Sequence, residues 1–396
     1  MGVSVSNQQS GEARRGDHTP LPQDVQPYQG WPLECLVIAF PVKMKRTYNA
    51  VTSNIDDYYP TISRYLQQGY TLNTFCPLPK SVSTAGINTM EMKYEAIFSR
   101  PVGVAARQDG AGFTVERSTM HFENSSRARV ADSSDVMKNI IDHTSKGGRL
   151  IGVEYNGQGV IRGINHRVDN EIGVDILLEI PKQPTPAKYV YQVINVPFSV
   201  TASMRHQTSH CDWLGTFSSY LNQGWKLVRV FIDGSRERDG REFTVNSIWF
   251  FEKETSKFQD PTPIYEGVII EYFHKVSTRG SVRTDWSPVI VEMGRRGWEL
   301  ACVQESGEMG MAGFAKVEMK LNMFFQRKIV AARGQYSSRP PFRPTTLPGP
   351  PPQYSSRPPS RATTPPHQSH LPRQRPSYPP SEAPSYPPSY HTERFD

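Results

Sequence analysis

Apolar residues recur every three or four positions in short stretches of the chain, the spacing that places them on one face of an α-helix. A glycine follows each such stretch, and a short extended apolar run follows the glycine. The pattern therefore predicts short amphipathic helices, each leading directly into a strand. The clearest helical faces are Tyr58, Ile62, Tyr65 and Leu66, and Trp213, Phe217, Tyr220 and Leu221.

These stretches belong to a pattern that occurs four times. In each copy an aspartate precedes an apolar residue, a glycine stands twelve residues after the aspartate, and a leucine follows three residues later. The spacings between successive glycines are 78, 77 and 73 residues. A repeat of this regularity indicates a body built from four similar units. The repeated positions are Asp57, Gly69 and Leu72; Asp135, Gly147 and Leu150; Asp212, Gly224 and Leu227; and Asp285, Gly297 and Leu300.

The repeated aspartates and glycines predict the two ends of each helix. An aspartate carboxylate accepts hydrogen bonds from the free amides of a first helical turn, so it is a good N-cap. Glycine adopts the left-handed conformation that closes many helices. β-type segments precede three of the aspartates, at 33–42, 190–200 and 268–273, and further strands are expected at 94–100, 248–253 and 319–327. Each unit is therefore predicted to contain a strand, a helix and two more strands.

The predicted fold class is α+β, with antiparallel sheets that carry the helices on one face. The sheets are expected to form two tandem sandwiches, or one larger assembly if the two pack together. Units one and two are expected at 31–182 and units three and four at 188–330. A linker is expected at 183–187, because Pro181, Pro184 and Pro186 interrupt helix and central strand there. Residues 1–30 and 331–396 are expected to be disordered, and 18 of the 34 prolines lie in the second of these segments.

Composition describes a cytosolic body without obvious chemistry. The net charge is +7, and arginines of the C-terminal tail carry much of the excess, so nucleic-acid binding is not expected. Cys35, Cys76, Cys211 and Cys302 have no close cysteine neighbour and are expected to be buried free thiols. No run of apolar residues is long enough for a membrane span.

Candidate catalytic and metal-binding residues lack the required partners. His206, His210 and Cys211 lie close together, but no second ligand pair has matching spacing. Gly147 in the segment 146–149 is explained as a helix end rather than part of a phosphate loop. Glu154, Asp175, Glu179 and Glu299 lack the paired arrangement that acid and base catalysis needs. We therefore expect no catalytic residue, metal or cofactor, and core packing for Trp213, Trp225, Trp249, Trp286 and Trp298.

The N-terminus carries a candidate lipidation site. Residues 1–6 read Met-Gly-Val-Ser-Val-Ser, which matches the N-myristoylation pattern with Gly2 as the acceptor. One myristoyl chain gives only marginal membrane binding, with an association constant on the order of 10⁴ M⁻¹. A second anchoring signal is therefore needed, and none is evident near Gly2.

The C-terminal tail carries candidate partner motifs. A Pro-Pro-x-Tyr sequence occurs twice, and in a polyproline conformation it suits the aromatic groove of WW domains, such as those of ubiquitin ligases. A second pattern, Arg-x-x-Pro-x-x-Pro, has the form of a Src-homology-3 ligand. The motif residues are Pro351, Pro352 and Tyr354; Pro387, Pro388 and Tyr390; and Arg373, Pro376 and Pro379.

The body resembles the raftlin family. The motifs that carry the resemblance lie at 65–70 and 91–94, 137–153, 220–227 and 248–253, and 282–288 through 297–300 to 325–327. The resemblance implies a lipid-anchored, non-enzymatic protein of the cytoplasmic leaflet that supports raft organisation, receptor signalling and endocytosis. Gly2 matches the family's myristoylated glycine, but Val3 stands where the family has a palmitoylated cysteine.

Two functional hypotheses follow. The first is a peripheral membrane scaffold on the plasma membrane or endosomes, with a cytosolic pool, which contacts lipid through myristate and recruits WW-domain proteins through Tyr354 and Tyr390. The alternative is a soluble adaptor for WW-containing ubiquitin ligases that has no membrane role.

Overall fold

The computed structural model describes residues 4–5, 17–24, 27–79, 81, 83–86, 88–103, 112–160, 171–203, 206–277, 285–311 and 316–330. All of them lie within one compact unit, Met1–Ala332. In this part of the chain the helices are α1 (Tyr59–Gln67), α2 (Ser134–Ser145), α3 (Trp213–Leu221) and α4 (Ser287–Arg295). None of these helices is long and apolar enough to cross a bilayer.

The strands of the described residues are β1 (Ser4–Val5), β2 (Leu33–Arg46), β3 (Ala50–Ser53), β4 (Thr71–Pro77), β5 (Ser83–Gly86), β6 (Thr89–Pro101), β7 (Gly112–Asn124), β8 (Ala128–Asp132), β9 (Arg149–Val160), β10 (Glu171–Ile180), β11 (Tyr189–Ala202), β12 (His206–His210), β13 (Lys226–Asp239), β14 (Glu242–Glu254), β15 (Tyr265–Ser277), β16 (Glu299–Met311) and β17 (Lys316–Lys328).

The main strands form four similar antiparallel sheets. In each sheet the first strand of the unit pairs with the third, and the third pairs with the second, which follows the helix. The four sheets therefore have the strand orders β2-β6-β4, β7-β10-β9, β11-β14-β13 and β15-β17-β16.

All four helices end in the same way. Gly69, Gly147, Gly224 and Gly297 have φ values between +77° and +88°, in the left-handed region that glycine tolerates best. The residue after each glycine donates its N–H to the carbonyl five residues earlier, as Trp225 does to Tyr220. This hydrogen bond defines a Schellman motif and satisfies a carbonyl that the helix leaves free. The motif turns each helix sharply into the next strand.

Each helix packs between the sheet of its own unit and the sheet of the next one. The core around α3, for example, contains Phe251 of its own sheet and Phe324 of unit four. The core around α4 contains Phe325 of its own sheet and Ile97 of unit one, so the fourth unit closes onto the first. Side chains that one unit supplies to the core of the preceding unit are Leu177, Phe231, Ile248, Phe250, Ala301, Cys302, Phe324, Cys35, Val37 and Ile97.

The strands that follow the helices lie at the centre of this ring. β4 contacts β9, β9 contacts β13, β13 contacts β16, and β16 contacts β4. We call these four strands the inner strands. Their first residues lie where the helices end, and we call that end of the ring the glycine end.

Short strands join the units into one hydrogen-bonded network. β3, β8 and β12 each pair with the first strand of their own unit and with the inner strand of the next. The network comprises all seventeen strands of the described residues. It is antiparallel at every pairing between these strands.

The predicted α+β fold of two tandem sandwiches is wrong. Strands dominate the described chain, and one antiparallel network runs through all four units. The strands are longer than predicted, since β2 reaches Arg46 and β6 begins at Thr89. The short strands β3, β8 and β12, which join the units, were not predicted because four or five residues are too few to show a clear alternating pattern, and β12 is entirely polar.

Gly294 offers a test of ring closure. It lies inside α4, where a glycine normally costs about 1 kcal/mol relative to alanine. A Cβ at this position would lie 2.4 Å from Cys35 Sγ and 3.0 Å from the Leu33 carbonyl oxygen, both in β2 of unit one. We expect Gly294→Ala to lower the free energy of unfolding by about 1–3 kcal/mol through overpacking. Urea denaturation measures the change.

The matched control is Ser219→Ala on the exposed side of α3, where the higher helix propensity of alanine should raise stability by about 0.5 kcal/mol. A gain in stability for Gly294→Ala similar to that of the control would contradict the close approach of α4 to β2.

Candidate functional site

The second residue after each repeated glycine begins an inner strand near the axis of the ring. These equivalent residues are Thr71, Arg149, Lys226 and Glu299. They line a cavity of about 280 Å³, to which Asn73 also contributes. We call this cavity the axial cleft. It brings two cations, a carboxylate and a hydroxyl group from four units into one place.

Ion pairs in the axial cleft connect neighbouring units. Arg149 of unit two donates two hydrogen bonds to Glu252 of unit three, at 2.9 and 2.5 Å. Lys226 Nζ of unit three lies 2.8 Å from Glu299 Oε1 of unit four. Asn73 Nδ2 of unit one donates to the same oxygen at 3.1 Å. Burial lowers the pKa of Arg149, but Glu252, Tyr189 and Glu179 together raise it by more, so the guanidinium stays charged.

A second polar layer lies deeper along the inner strands. Arg229 of unit three pairs with Glu154 of unit two and donates to Thr74 Oγ1 of unit one at 2.7 Å. All three side chains are buried. Burial lowers the pKa of Arg229, but its neighbours, with Glu154 the largest contributor among them, together raise it by more. Removing one partner of such a buried pair typically costs about 3–5 kcal/mol, because the other charge is left uncompensated.

Glu95 closes the ring between units four and one. Its Oε2 accepts a hydrogen bond at 2.5 Å from Trp286 Nε1, and Trp286 is the residue immediately before α4. The pKa of Glu95 is raised to about 7 as the net result of burial and Asp285, which raise it, and of the Trp286 hydrogen bond and Lys93, which lower it. Glu95 is therefore only partly ionised near neutral pH.

The charged side chains at the axis join the units to one another and form no recognisable catalytic arrangement among the described residues. Each axial cation described above faces a carboxylate of another unit, so its charge is compensated within the ring. All four cysteines are free, and Cys35, Cys76 and Cys302 are buried as predicted. Cys211 is only partly buried, so the predicted burial is wrong at that position. Burial raises the pKa of Cys76 to about 12 and of Cys302 to about 11. Both thiols are protonated at neutral pH and are poor nucleophiles.

The repeated aspartates differ in their roles. Asp212 caps α3, since its Oδ1 accepts from Gly215 N at 2.9 Å. Asp285 accepts from Ser287 N at 3.0 Å but precedes the capping residue of α4. Asp57 lies in a 3-10 turn before α1, and Asp135 lies within the first turn of α2. The predicted N-cap geometry is therefore found at Asp212 alone among the four.

The remaining predicted residues divide between the core and the chain ends. Leu72, Leu150, Leu227 and Leu300 are buried, and so are the five predicted core tryptophans. Gly2 and the tail motifs around Tyr354, Arg373 and Tyr390 lie outside the described residues.

The partners of the acidic residues were not evident from the sequence. The partners of Glu154, Glu299 and Asp175 lie far along the chain; Glu154 and Arg229 are 75 positions apart. Asp175 accepts from Tyr59 Oη and Asn156 Nδ2. The detectable signal was the repeat itself, because aligning the four copies places Arg149, Lys226 and Glu299 at one equivalent position.

Comparison with known proteins finds similarity to one family. A model of the raftlin family matches residues 165–340, which include units three and four. Raftlin of Mus musculus is 23% identical over 148 residues, which is 37% of this chain and 26% of the mouse protein. Raftlin of Gallus gallus is 22% identical over 152 residues, 38% of this chain and 25% of the chicken protein. Raftlin of Homo sapiens is 21% identical over 196 residues, 46% of this chain and 34% of the human protein.

The matched segment thus spans about a quarter to a third of the length of these curated relatives. No solved structure matches the chain significantly. The family match and the curated relatives support assignment of the chain to the raftlin family, in agreement with the motifs of the sequence.

Glu95 gives the ring a specific pH dependence. Its pKa is about 7 in the folded protein and near the ordinary 4.5 in the unfolded chain, so the folded state holds more protons between these values. Its contribution to stability is therefore fully present below about pH 4.5 and is lost as pH rises to about 7, by roughly 2–3 kcal/mol. Glu95→Gln keeps an acceptor for Trp286 and carries no charge.

We expect Glu95→Gln to raise the free energy of unfolding at pH 8 and to leave it nearly unchanged at pH 4.5, measured by urea denaturation at both values. Glu123→Gln, at an exposed position of β7, is the control. Equal effects of Glu95→Gln at the two pH values would refute a raised pKa at this position.

Proposed function

We propose that this chain is a non-enzymatic peripheral membrane scaffold of the cytoplasmic leaflet, tethered by an acyl chain on Gly2. The carrying observation is that a raftlin-family body follows a Met-Gly-x-x-x-Ser start. Its sites of action are the plasma membrane or endosomes, where it supports raft organisation, receptor signalling or endocytosis. Because a single myristoyl chain binds only marginally, a cytosolic pool exchanges with the bound one.

The body supports this proposal through its cohesion. Charged groups at the axis are used in pairs that join different units, such as Arg149 with Glu252 and Arg229 with Glu154. Such a ring holds its surfaces in fixed relative positions, which suits a protein that gathers partners. Lipidation and motif binding are then assigned to the two ends of the sequence.

The tail adds a recruiting function to the scaffold. Its two Pro-Pro-x-Tyr motifs, ending at Tyr354 and Tyr390, are expected to bind WW domains, including those of ubiquitin ligases. Two copies permit simultaneous engagement of tandem WW domains, which increases the overall affinity. Arg373, Pro376 and Pro379 form a weaker candidate for Src-homology-3 domains. The same motifs favour the alternative function, an adaptor for WW-containing ligases that acts without a membrane.

Gly2→Ala separates the two functions. We expect wild-type protein to incorporate a myristate analogue during metabolic labelling and Gly2→Ala to incorporate none. The membrane-bound fraction of a C-terminal fluorescent fusion should fall about tenfold in the variant, since the acyl chain supplies most of the marginal affinity. Gly11→Ala, a second glycine of the same segment, is the control. Identical labelling and localisation of wild type and Gly2→Ala would refute the lipid tether.

Tyrosine substitutions test the tail in the full-length chain. We expect Tyr354→Ala or Tyr390→Ala to weaken binding to a tandem WW fragment about tenfold, because avidity requires both motifs. The double variant should abolish binding, because it has no intact motif. Tyr386→Ala, in the same tail but outside a Pro-Pro-x-Tyr sequence, is the matched control. Fluorescence anisotropy measures the affinity. Unchanged binding by the double variant would exclude WW recruitment through these motifs.

A further inference from the structure

A second cavity at the glycine end is rich in positive charge. It has a volume of about 330 Å³ and receives residues from all four units. Six cations line it against three carboxylates, so its lining carries a formal excess of three positive charges. We call it the basic cleft. Its charged lining residues are Arg149, Lys188, Lys226, Lys253, Lys257 and Lys328, with Glu252, Glu254 and Glu299.

Three of these cations have a carboxylate partner, and three do not. Arg149 and Lys226 belong to the axial ion pairs, and Lys257 Nζ lies 2.9 Å from Glu254. Within the described part of the chain, Lys188, Lys253 and Lys328 form no salt bridge. They supply the net positive charge of the basic cleft, although Glu254 also interacts electrostatically with Lys188 and Lys328, and Asp260 with Lys253.

The three lysines differ in what holds them. Lys253 is buried, and its Nζ donates to the carbonyl oxygens of Gln223, at 2.8 Å, and Asp260. Lys188 is exposed and lies over the ring of Tyr189. Lys328 is exposed at the end of β17. One buried cation and two exposed ones lining the same cavity favour an anion with several negative oxygens.

Other lining groups fit a phosphorylated ligand. The hydroxyl groups of Thr71 and Ser99 and the phenol groups of Tyr189 and Tyr265 line the same cavity. Hydroxyl donors and lysines together are the usual partners of phosphate oxygens. The cavity can hold a phosphorylated polyol of the size of a lipid headgroup.

Exposed apolar side chains surround the basic cleft. Trp31 (64% exposed), Val102 (49%), Phe258 (50%) and Ile329 (50%) each lie one or two residues along the chain from a residue that lines it. Backbone hydrogen bonds hold two of these residues: Val102 N donates to the Pro32 carbonyl, and Ile329 N donates to the Ile264 carbonyl. Apolar tips beside lysines are typical of surfaces that enter the membrane interface.

We propose that the glycine end of the ring docks on the membrane, with the basic cleft binding the phosphorylated headgroup of an anionic lipid and the apolar rim entering the bilayer interface. This inference rests on the proposed scaffold function and deepens it. It supplies the second anchoring signal that Gly2 requires and that the sequence near Gly2 lacks. It also sets the orientation of the body, with the glycine end toward the lipid.

The test uses full-length Gly2→Ala protein, so that no acyl chain contributes. Co-sedimentation is measured with vesicles of phosphatidylcholine alone, with added phosphatidylserine, or with added phosphatidylinositol bisphosphate. We expect negligible binding to the first and strongest binding to the last. Lys188→Ala combined with Lys328→Ala should weaken the strongest binding about 25-fold, about fivefold for each lysine.

Two further double variants serve as controls. Lys188→Arg with Lys328→Arg preserves the charge at both positions and should retain binding. Lys43→Ala with Lys45→Ala removes the same charge from two exposed positions near the other end of β2 and should also retain it. If Lys43→Ala with Lys45→Ala weakens binding as much as Lys188→Ala with Lys328→Ala, the basic cleft is not the binding site. The attraction would then depend only on the total charge of the protein.

Trp31 reports insertion directly. The other five tryptophans of the chain are buried, so brominated lipid should quench mainly Trp31. We expect quenching with phosphatidylinositol bisphosphate vesicles and its loss in Trp31→Phe. Bound protein without quenching would overturn docking by this end.

The remaining outcomes are decisive. Release from vesicles by soluble inositol hexakisphosphate supports headgroup recognition. If the protein binds inorganic phosphate or inositol hexakisphosphate but not anionic vesicles, the ligand of the basic cleft is a soluble phosphate compound and not a lipid. If it binds single-stranded RNA more tightly than vesicles, the partner is a nucleic acid and not a membrane. If Gly2→Ala binds no anionic vesicle while acylated wild type still reaches cell membranes, this inference fails and the proposed function stands.

Discussion

The structure depends on short helices, each of which buries its apolar side chains only when it packs between two sheets. The four helices have only nine to twelve residues, and each packs apolar side chains against its own sheet and against the sheet of the next unit. An open array would expose one face of α4, with Trp286 and Met293, and the matching face of unit one, with Cys35 and Ile97. Closing the ring buries both, so hydrophobic burial requires all four units together.

The ion pairs at the axis also make each unit depend on its neighbours. Charges buried without partners would oppose folding, and here the partner generally comes from another unit, as for Arg229 and Glu154 or Lys226 and Glu299. The residues that resemble catalytic groups in the sequence are therefore committed to joining the units. Partner binding is therefore proposed for the surface at the glycine end and for the sequence motifs of the two chain ends, rather than for the axial ion pairs.

Parts of this architecture were predictable, and the limits have physical reasons. The repeated glycines predicted where helices stop, because a left-handed residue at Gly224 or Gly297 is a local requirement. Ring closure was not predictable, because no local pattern shows that Ile97 packs with α4. Strand dominance was underestimated because strand ends such as residues 236–239 are polar and exposed, yet they continue to pair beyond the core. Axial ion pairs require knowledge of which units are neighbours.

Cooperativity between the units is the central claim. Hydrogen exchange measured by mass spectrometry in increasing urea, below the unfolding transition, gives the opening free energy of peptides from β4, β9, β13 and β16 separately. The closed ring predicts that the most protected amides of all four inner strands share one free energy and one urea dependence, since no unit retains its core without its neighbours. If β4 and β9 open together at a free energy different from that of β13 and β16, the molecule is two independent halves and the closed-ring account is contradicted.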